Sequence, residues 1–289
     1  MVTDESLKLL ARRQPELLAS TLRQHLGQTN MKTFDSDQVQ QVLSQGITSC
    51  GRSNLWQEAL EIFQLLIELE KPDVISYSAL ISSFRGQWQR AMQLFTEMLQ
   101  ARNEADVISF SAVISSCEKS SQWTQALHFF GLMREHRIPA NVVSYSALIS
   151  AAEKAGQWQL GLQVFSELDG HIKPDVISYS AAISACEKAG KWQLALLLFE
   201  DMPSSKIFPN IISLNAAIAS CEKGHQWLLA LHFLHCSRWT SMRPDVISYS
   251  SVLSACATQG QWRWALEVYG RMKGETLEMW LDVISCNVR

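Results

Sequence analysis

A six-residue phrase, Asp-Val-Ile-Ser-Tyr-Ser, returns along this chain and settles its architecture before any local pattern can. The phrase or a close variant begins at residues 73, 106, 141, 175, 210 and 245, with an echo at 282. Counted from the residue after each Asp or Asn, the units run 74–106, 107–141, 142–175, 176–210, 211–245 and 246–282. A weaker first unit, 40–73, aligns through Cys50, Trp56, Ala59 and Phe63. A spacing held between 33 and 37 residues marks a stacked-repeat chain.

Unit 176–210 shows what one repeat is. Tyr179, Ala182, Ile183 and Cys186 fall at i, i+3, i+4 and i+7, the stripe of an amphipathic helix. Asp175, preceded by Pro174, occupies the N-cap, and Gly190 ends the helix with a left-handed cap. Gly156, Gly224 and Gly260 hold the same place in other units, and Asn54 holds it in the first. Trp192, Ala195, Leu196, Phe199 and Met202 then form a second stripe that ends near Pro203 and Pro209. A single helix pair cannot bury both stripes, but stacked neighbours can. The expected fold is therefore all-α, a right-handed superhelical α-solenoid of stacked helix–turn–helix repeats. The Trp residues at 56, 88, 123, 158, 192, 227 and 262 share the second stripe and are expected to pack between the two helices.

Composition narrows the partners. A hydrophobic share of 47% with 18% charged residues belongs to a folded chain, and no apolar run approaches a membrane span. The net charge of −3 offers no global attraction for nucleic acid, so any such binding must be local. Cys50, Cys117, Cys186, Cys221 and Cys256 recur at one repeat position, which marks them as small core residues of a reducing compartment. Asp4 and Glu5 count against an N-terminal targeting peptide. Residues 1–39, with Leu7, Leu10 and Leu17 around Pro15, read as a helical cap or a worn repeat. Residues 283–289 read as the opening of a further, truncated repeat, so a fragment of a longer chain is expected.

Two helical families share this period. The tetratricopeptide pattern wants Gly eight places in and Ala late in the second helix. Here those places hold Ile183 or Leu253, and Met133, Met202 or Met272. The opening Val-Ile-Ser-Tyr-Ser-Ala-x-Ile, the central Cys-Glu-Lys-x-Gly and the closing Lys-Pro-Asp resemble instead the pentatricopeptide repeat, in its P-type form, over residues 40–289. That resemblance implies a sequence-specific binder of single-stranded RNA in a mitochondrion or chloroplast, reading one base per repeat. It would act as a non-catalytic adaptor in RNA processing, stability or translation, with protein partners, no membrane, no cofactor and no small-molecule substrate.

The resemblance also assigns residues. The family's base-reading pair is the fifth and the last residue of each unit. Here the fifth is Ser44, Ser78, Ser111, Ser146, Ser180, Asn215 and Ser250, and the last is Asp73, Asp106, Asn141, Asp175, Asn210, Asp245 and Asp282. By family rules the string reads 5′-GGAGAUG-3′. The same Asp and Asn residues also suit helix capping without any ligand. The second place carries Ile75, Ile108, Val143, Ile177, Ile212 and Ile247, which either wedge between bases or touch the adjacent repeat. Arg52, Lys119, Lys154, Lys188 and Lys223 fall where the family contacts phosphate. Each of the four Lys follows a Glu, a pairing that either neutralises the groove or forms a solvated face. Unit 74–106 keeps only Arg85 near that place, and unit 246–282 has Thr258.

No phosphate loop, nucleophile elbow or paired-carboxylate motif stands out. His232, His235 and Cys236 lack a second cluster with metal-ligand spacing and are expected to line one helix surface. Two other readings stay open: a protein-interaction solenoid using the same face, and the repeat portion of a larger enzyme.

Overall fold

The computed structural model describes residues 36–53, 55–69, 72–84, 86–237 and 242–275. Among the described residues there are fourteen α-helices and no strand. In chain order they are α1 Ser36–Arg52, α2 Trp56–Leu69, α3 Val74–Ser83, α4 Trp88–Gln100, α5 Val107–Lys119, α6 Trp123–Glu135 and α7 Val142–Lys154. There follow α8 Trp158–His171, α9 Val176–Lys188, α10 Trp192–Ser204, α11 Ile211–Lys223, α12 Trp227–Ser237, α13 Val246–Thr258 and α14 Trp262–Glu275. Each odd-numbered helix opens a repeat and the following even-numbered one closes it. Helix α1 starts at Ser36, ahead of the boundary read at residue 40.

The fold divides into two compact units, one up to Ala151 and one from Ala152. In the first, α1, α3 and α5 pack side by side, and α2 and α4 each lie against their own first helix and the next one. The second has the same arrangement, with α9, α11 and α13 in one row and α10 and α12 bridging successive members.

Local chemistry sets the helix ends. Asp73, Asp106, Asp175, Asn210 and Asp245 cap their helices, each accepting the backbone N–H of the Ser three residues on. That bond satisfies a donor the helix itself cannot use. In α5, α9, α11 and α13 the same Ser returns a bond to the cap backbone, completing a capping box. The turn after the first helix needs one left-handed residue. Gly86, Gly156, Gly190 and Gly260 supply it with φ between 67° and 83°. Gly224 does not: it is the helix C-cap at φ −81°, and His225 takes the left-handed place at φ 57°. Ser121 does the same in unit 107–141.

The expected core stripe is buried. Leu43, Phe110, Tyr179 and Leu214 at the fourth place, Ile47 through Ile218 at the eighth, and all five repeat cysteines are sealed from solvent. Burial pushes the Cys117 and Cys186 thiols up to about 11 and Cys221 to about 12. The seam between repeats is aromatic. Phe63 meets Tyr77, Phe95 meets Phe110 and Phe130 meets Tyr145 edge-on at 4.9–5.0 Å, and Phe165 meets Tyr179 at 4.7 Å. Each ring of one repeat thus completes its burial only against the next, which is why a lone hairpin would not suffice.

The tryptophans depart from expectation. Six are half-buried and Trp262 is exposed, so they flank the core without filling it. Trp192 packs on the inter-helix turn of the following repeat. It lies so close to Gly224 that a Cβ there would sit 2.4 Å from its ring. Arg90 stands over Trp56 at 4.4 Å and Lys191 over Trp158 at 5.4 Å.

Candidate nucleic-acid interface

The first helices carry three kinds of side chain in register, and their exposure separates them. The second-place aliphatics stand in solvent. Ile75, Ile108, Ile177, Ile212 and Ile247 are 59–66% exposed and Val143 56%. They are not consumed by contact with the adjacent repeat. An aliphatic residue held out in water once per repeat is a surface that gains by being covered.

Four of the seven fifth-place residues lie deep. Ser78, Ser111, Ser146 and Ser180 are only 4–7% exposed, in the seam beside the next first helix, and Ser44, Asn215 and Ser250 are partly exposed. The small size of this residue follows from that crowding. Ser44, Ser78, Ser111, Ser146 and Ser180 each donate their hydroxyl proton to the carbonyl four residues back, at 2.6–2.9 Å. With the proton committed, the outward side of each oxygen can only accept. Ser250 turns instead to the carbonyl of Ile247.

In three units the last residue meets the fifth residue of the same unit. Ser111 Oγ lies 3.3 Å from Asn141 Oδ1, Ser180 Oγ lies 3.5 Å from Asn210 Oδ1, and Asn215 Nδ2 donates to Asp245 Oδ1 and Oδ2 at 3.1 and 3.2 Å. Capping uses one oxygen of the last residue. Asp73, Asp106, Asn141, Asp175, Asn210 and Asp245 all hold the N3 amide through Oδ1. Capping and ligand contact are therefore compatible on one side chain, because each has a second polar atom. Asp282 and Arg85 lie outside the described residues.

Unit 107–141 brings one of each kind around a single hollow of about 380 Å³. Ile108 and Val143, Ser111 and Asn141, Lys119 and Phe84 all line it.

The basic residues turn out to be tied between repeats. Lys188 pairs with Glu153 of the preceding repeat at 2.7 Å, and Lys223 with Glu187 at 2.6 Å. The lysine side chains remain 47% and 44% exposed while the carboxylates are 17% and 16% exposed. For Lys188 and Lys223 the ion-pair partner is thus the Glu of the previous unit. Where Thr258 replaces the Lys, Ser254 donates to Glu222 instead. Arg52, Lys119 and Lys154 are likewise exposed at the ends of α1, α5 and α7.

One residue class escaped the sequence reading. The third-place serines, Ser76, Ser109, Ser144, Ser178, Ser213 and Ser248, are fully buried under this face. Their signal was present, since six of the seven units keep Ser at that place and only the first has Val42 there. His232 and His235 are exposed on α12, the side chain of Cys236 is outside the described residues, and no group of three metal-ligating residues occurs among those described. No described helix is long and apolar enough to cross a membrane.

Comparison with known proteins agrees with this geometry. The family model described as pentatricopeptide repeat domain matches residues 67–120, 104–155 and 127–189. Models described as PPR repeat family and PPR repeat match 174–223, and 47–70 and 247–277. No curated protein matches the sequence. Among solved structures, the pentatricopeptide repeat protein PPR10 from maize superposes with a TM-score of 0.63 at 21% identity, covering 93% of this chain and 43% of that one. The same protein in complex with an 18-nt psaJ RNA element gives 0.72 at 17% identity, over 94% and 44%. The PPR domain of Arabidopsis thaliana protein-only RNase P 1, in complex with tRNA, gives 0.54 at 12% identity, over 60% and 91%. At these identities the likeness is one of fold, and the chain spans less than half the length of the maize protein.

Proposed function

Since this chain belongs to the pentatricopeptide repeat family, we propose that it binds single-stranded RNA in a sequence-specific way, one base per repeat, through the fifth and last residues of each unit. The observation that carries this reading is the hollow at unit 107–141, lined together by two exposed aliphatics, the Ser111–Asn141 pair and Lys119. A flat base fits such a site: apolar faces above and below, its polar edge toward Ser111 and Asn141, its phosphate toward Lys119.

The hydrogen-bond inventory supports specific choices. A fifth-place Ser whose proton is held by its own helix is an acceptor. Paired with Asp, it presents two acceptors, which match the adjacent N–H donors of guanine. Paired with Asn, it presents an acceptor and a donor, which match the amino group and ring nitrogen of adenine. Asn215 with Asp245 presents a donor and an acceptor in the opposite sense, which match the carbonyl and imino N–H of uracil. Over the seven units, 40–73 to 246–282, the string is 5′-GGAGAUG-3′. The protein acts by recognition, as an adaptor in the RNA metabolism of a mitochondrion or chloroplast, without an active site of its own.

Selection from a randomised RNA pool by filter binding tests this. Enrichment of GGAGAUG-like sequences is the expected result. Equal, weak retention of every sequence sinks the reading and leaves a protein-interaction scaffold.

A further inference from the structure

The third-place serines adopt two settings, and the difference points to a role beyond capping. Ser109, Ser178 and Ser213 turn toward their own N-cap, donating to its backbone carbonyl at 2.9 Å. Ser76, Ser144 and Ser248 reach the fifth-place side chain of the preceding repeat. Ser76 Oγ lies 2.8 Å from Ser44 Oγ, Ser144 Oγ lies 2.9 Å from Ser111 Oγ, and Ser248 Oγ donates to Asn215 Oδ1 at 2.5 Å. All six are sealed from solvent, so none can touch a ligand.

The geometry of unit 211–245 points to Ser248 as a positioning residue that sets base choice through Asn215. This rests on the base-reading assignment made above. The Asp245 carboxylate only accepts, so the amide nitrogen of Asn215 must face it, at 3.1 and 3.2 Å. The amide oxygen then faces Ser248, which supplies the matching donor. Both ends of the amide are thereby held in one of its two flips. One N–H of Nδ2 and one lone pair of Oδ1 stay available, in fixed order. Uracil offers a carbonyl and an imino N–H along its edge, whereas cytosine offers the reverse order of acceptor and donor at the same positions. An amide held in one flip discriminates between them; an amide free to turn by 180° serves both.

The structure contains its own control. Helices α11 and α13 both begin with a complete capping box, made by Ser213 and Ser248 respectively. Ser213 bonds the backbone of Asn210, whereas Ser248 bonds both its cap and Asn215. Replacing either with Ala removes the same cap contribution, but only Ser248→Ala releases a fifth-place side chain.

The test measures binding of the full chain to heptanucleotides varied at the fifth or sixth base of GGAGAUG, at one fixed salt concentration, with thermal melting of each variant. Ser248→Ala is expected to cut the preference for U over C at the sixth base by about 3- to 10-fold, the size of one neutral hydrogen bond. Preference at the fifth base stays intact in that variant, and Ser213→Ala leaves both preferences unchanged while lowering the melting temperature similarly. Unaltered U-over-C preference in Ser248→Ala overturns the positioning role, as does an equal loss in Ser213→Ala at its own base. A wild-type chain indifferent to U and C at the sixth base overturns the base-reading assignment itself, and this role with it.

Discussion

Asn210 is the residue at which capping and base reading separate most cleanly. Its backbone, at φ −110° and ψ 177°, matches that of Asp175 at −114° and 175° and of Asp106 at −108° and 176°. An Asp therefore fits without strain. Its Oδ1 caps α11 by accepting the Ser213 N–H at 2.9 Å, which a carboxylate oxygen does at least as well. A negative charge at a helix N-terminus adds about 0.3–1 kcal/mol of stability. Asn210→Asp should thus melt no lower than the wild type. What changes is the second polar atom, from the donor Nδ2 to an acceptor. Adenine then faces two acceptors where it needs one donor, and guanine finds both its N–H groups satisfied. A mismatched polar pair costs about 1–3 kcal/mol, or about 5- to 150-fold in affinity. The wild type should favour A over G at the fifth base, and the variant G over A, in anisotropy titrations with two heptanucleotides. Because added negative charge weakens binding to every RNA, the ratio is the quantity to read and salt must be held constant. A variant that melts normally yet keeps the wild-type ratio refutes the assignment of this residue.

Three further outcomes test the packing and electrostatics. Gly161 occupies the second-helix place held elsewhere by the buried Ala126, Ala195 and Ala230, and an added Cβ would meet Ala152 and Ala185 at 3.8 Å, ordinary contact distance. Gly161→Ala should therefore stabilise by about 1–2 kcal/mol from helix propensity and methyl burial, and a lowered midpoint in urea would contradict the packing described. Glu187→Gln removes the partner of Lys223 at a stability cost under about 1 kcal/mol. It should tighten RNA binding at low salt and steepen the salt dependence by about 0.7 for the freed contact; an unchanged slope would show that this lysine does not meet phosphate. With thiols raised to about 11–12 by burial, Cys117, Cys186 and Cys221 should resist alkylation at neutral pH until the chain unfolds, as peptide mapping after a timed iodoacetamide pulse would reveal.

The residues show which decisions were local and which were not. The period, the helix pairs and the capping Asp or Asn depend on spacings of three or four residues within one segment, and those spacings stand in the sequence. The fate of four other features depends on a residue about thirty positions away. Gly224 had the look of a left-handed cap, but the close approach of Trp192 from the preceding repeat gives it a different reason to be Gly and leaves the turn to His225. Trp192 itself shares the apolar stripe, yet it lies on that turn and leaves the centre of the core to smaller neighbours. Ser180 stands in the sequence only as a small polar residue at a ligand-reading place, and only the adjacent first helix buries it to 7%. Lys188 follows Glu187 in sequence but pairs with Glu153. Each repeat thus carries its own helices, while its surface chemistry is completed by the repeat before or after it. That division is physical. Backbone hydrogen bonding and amphipathic spacing act within a turn or two of helix, whereas burial and ion pairing act through space, and in a stacked chain the nearest neighbour in space is one whole period away in sequence.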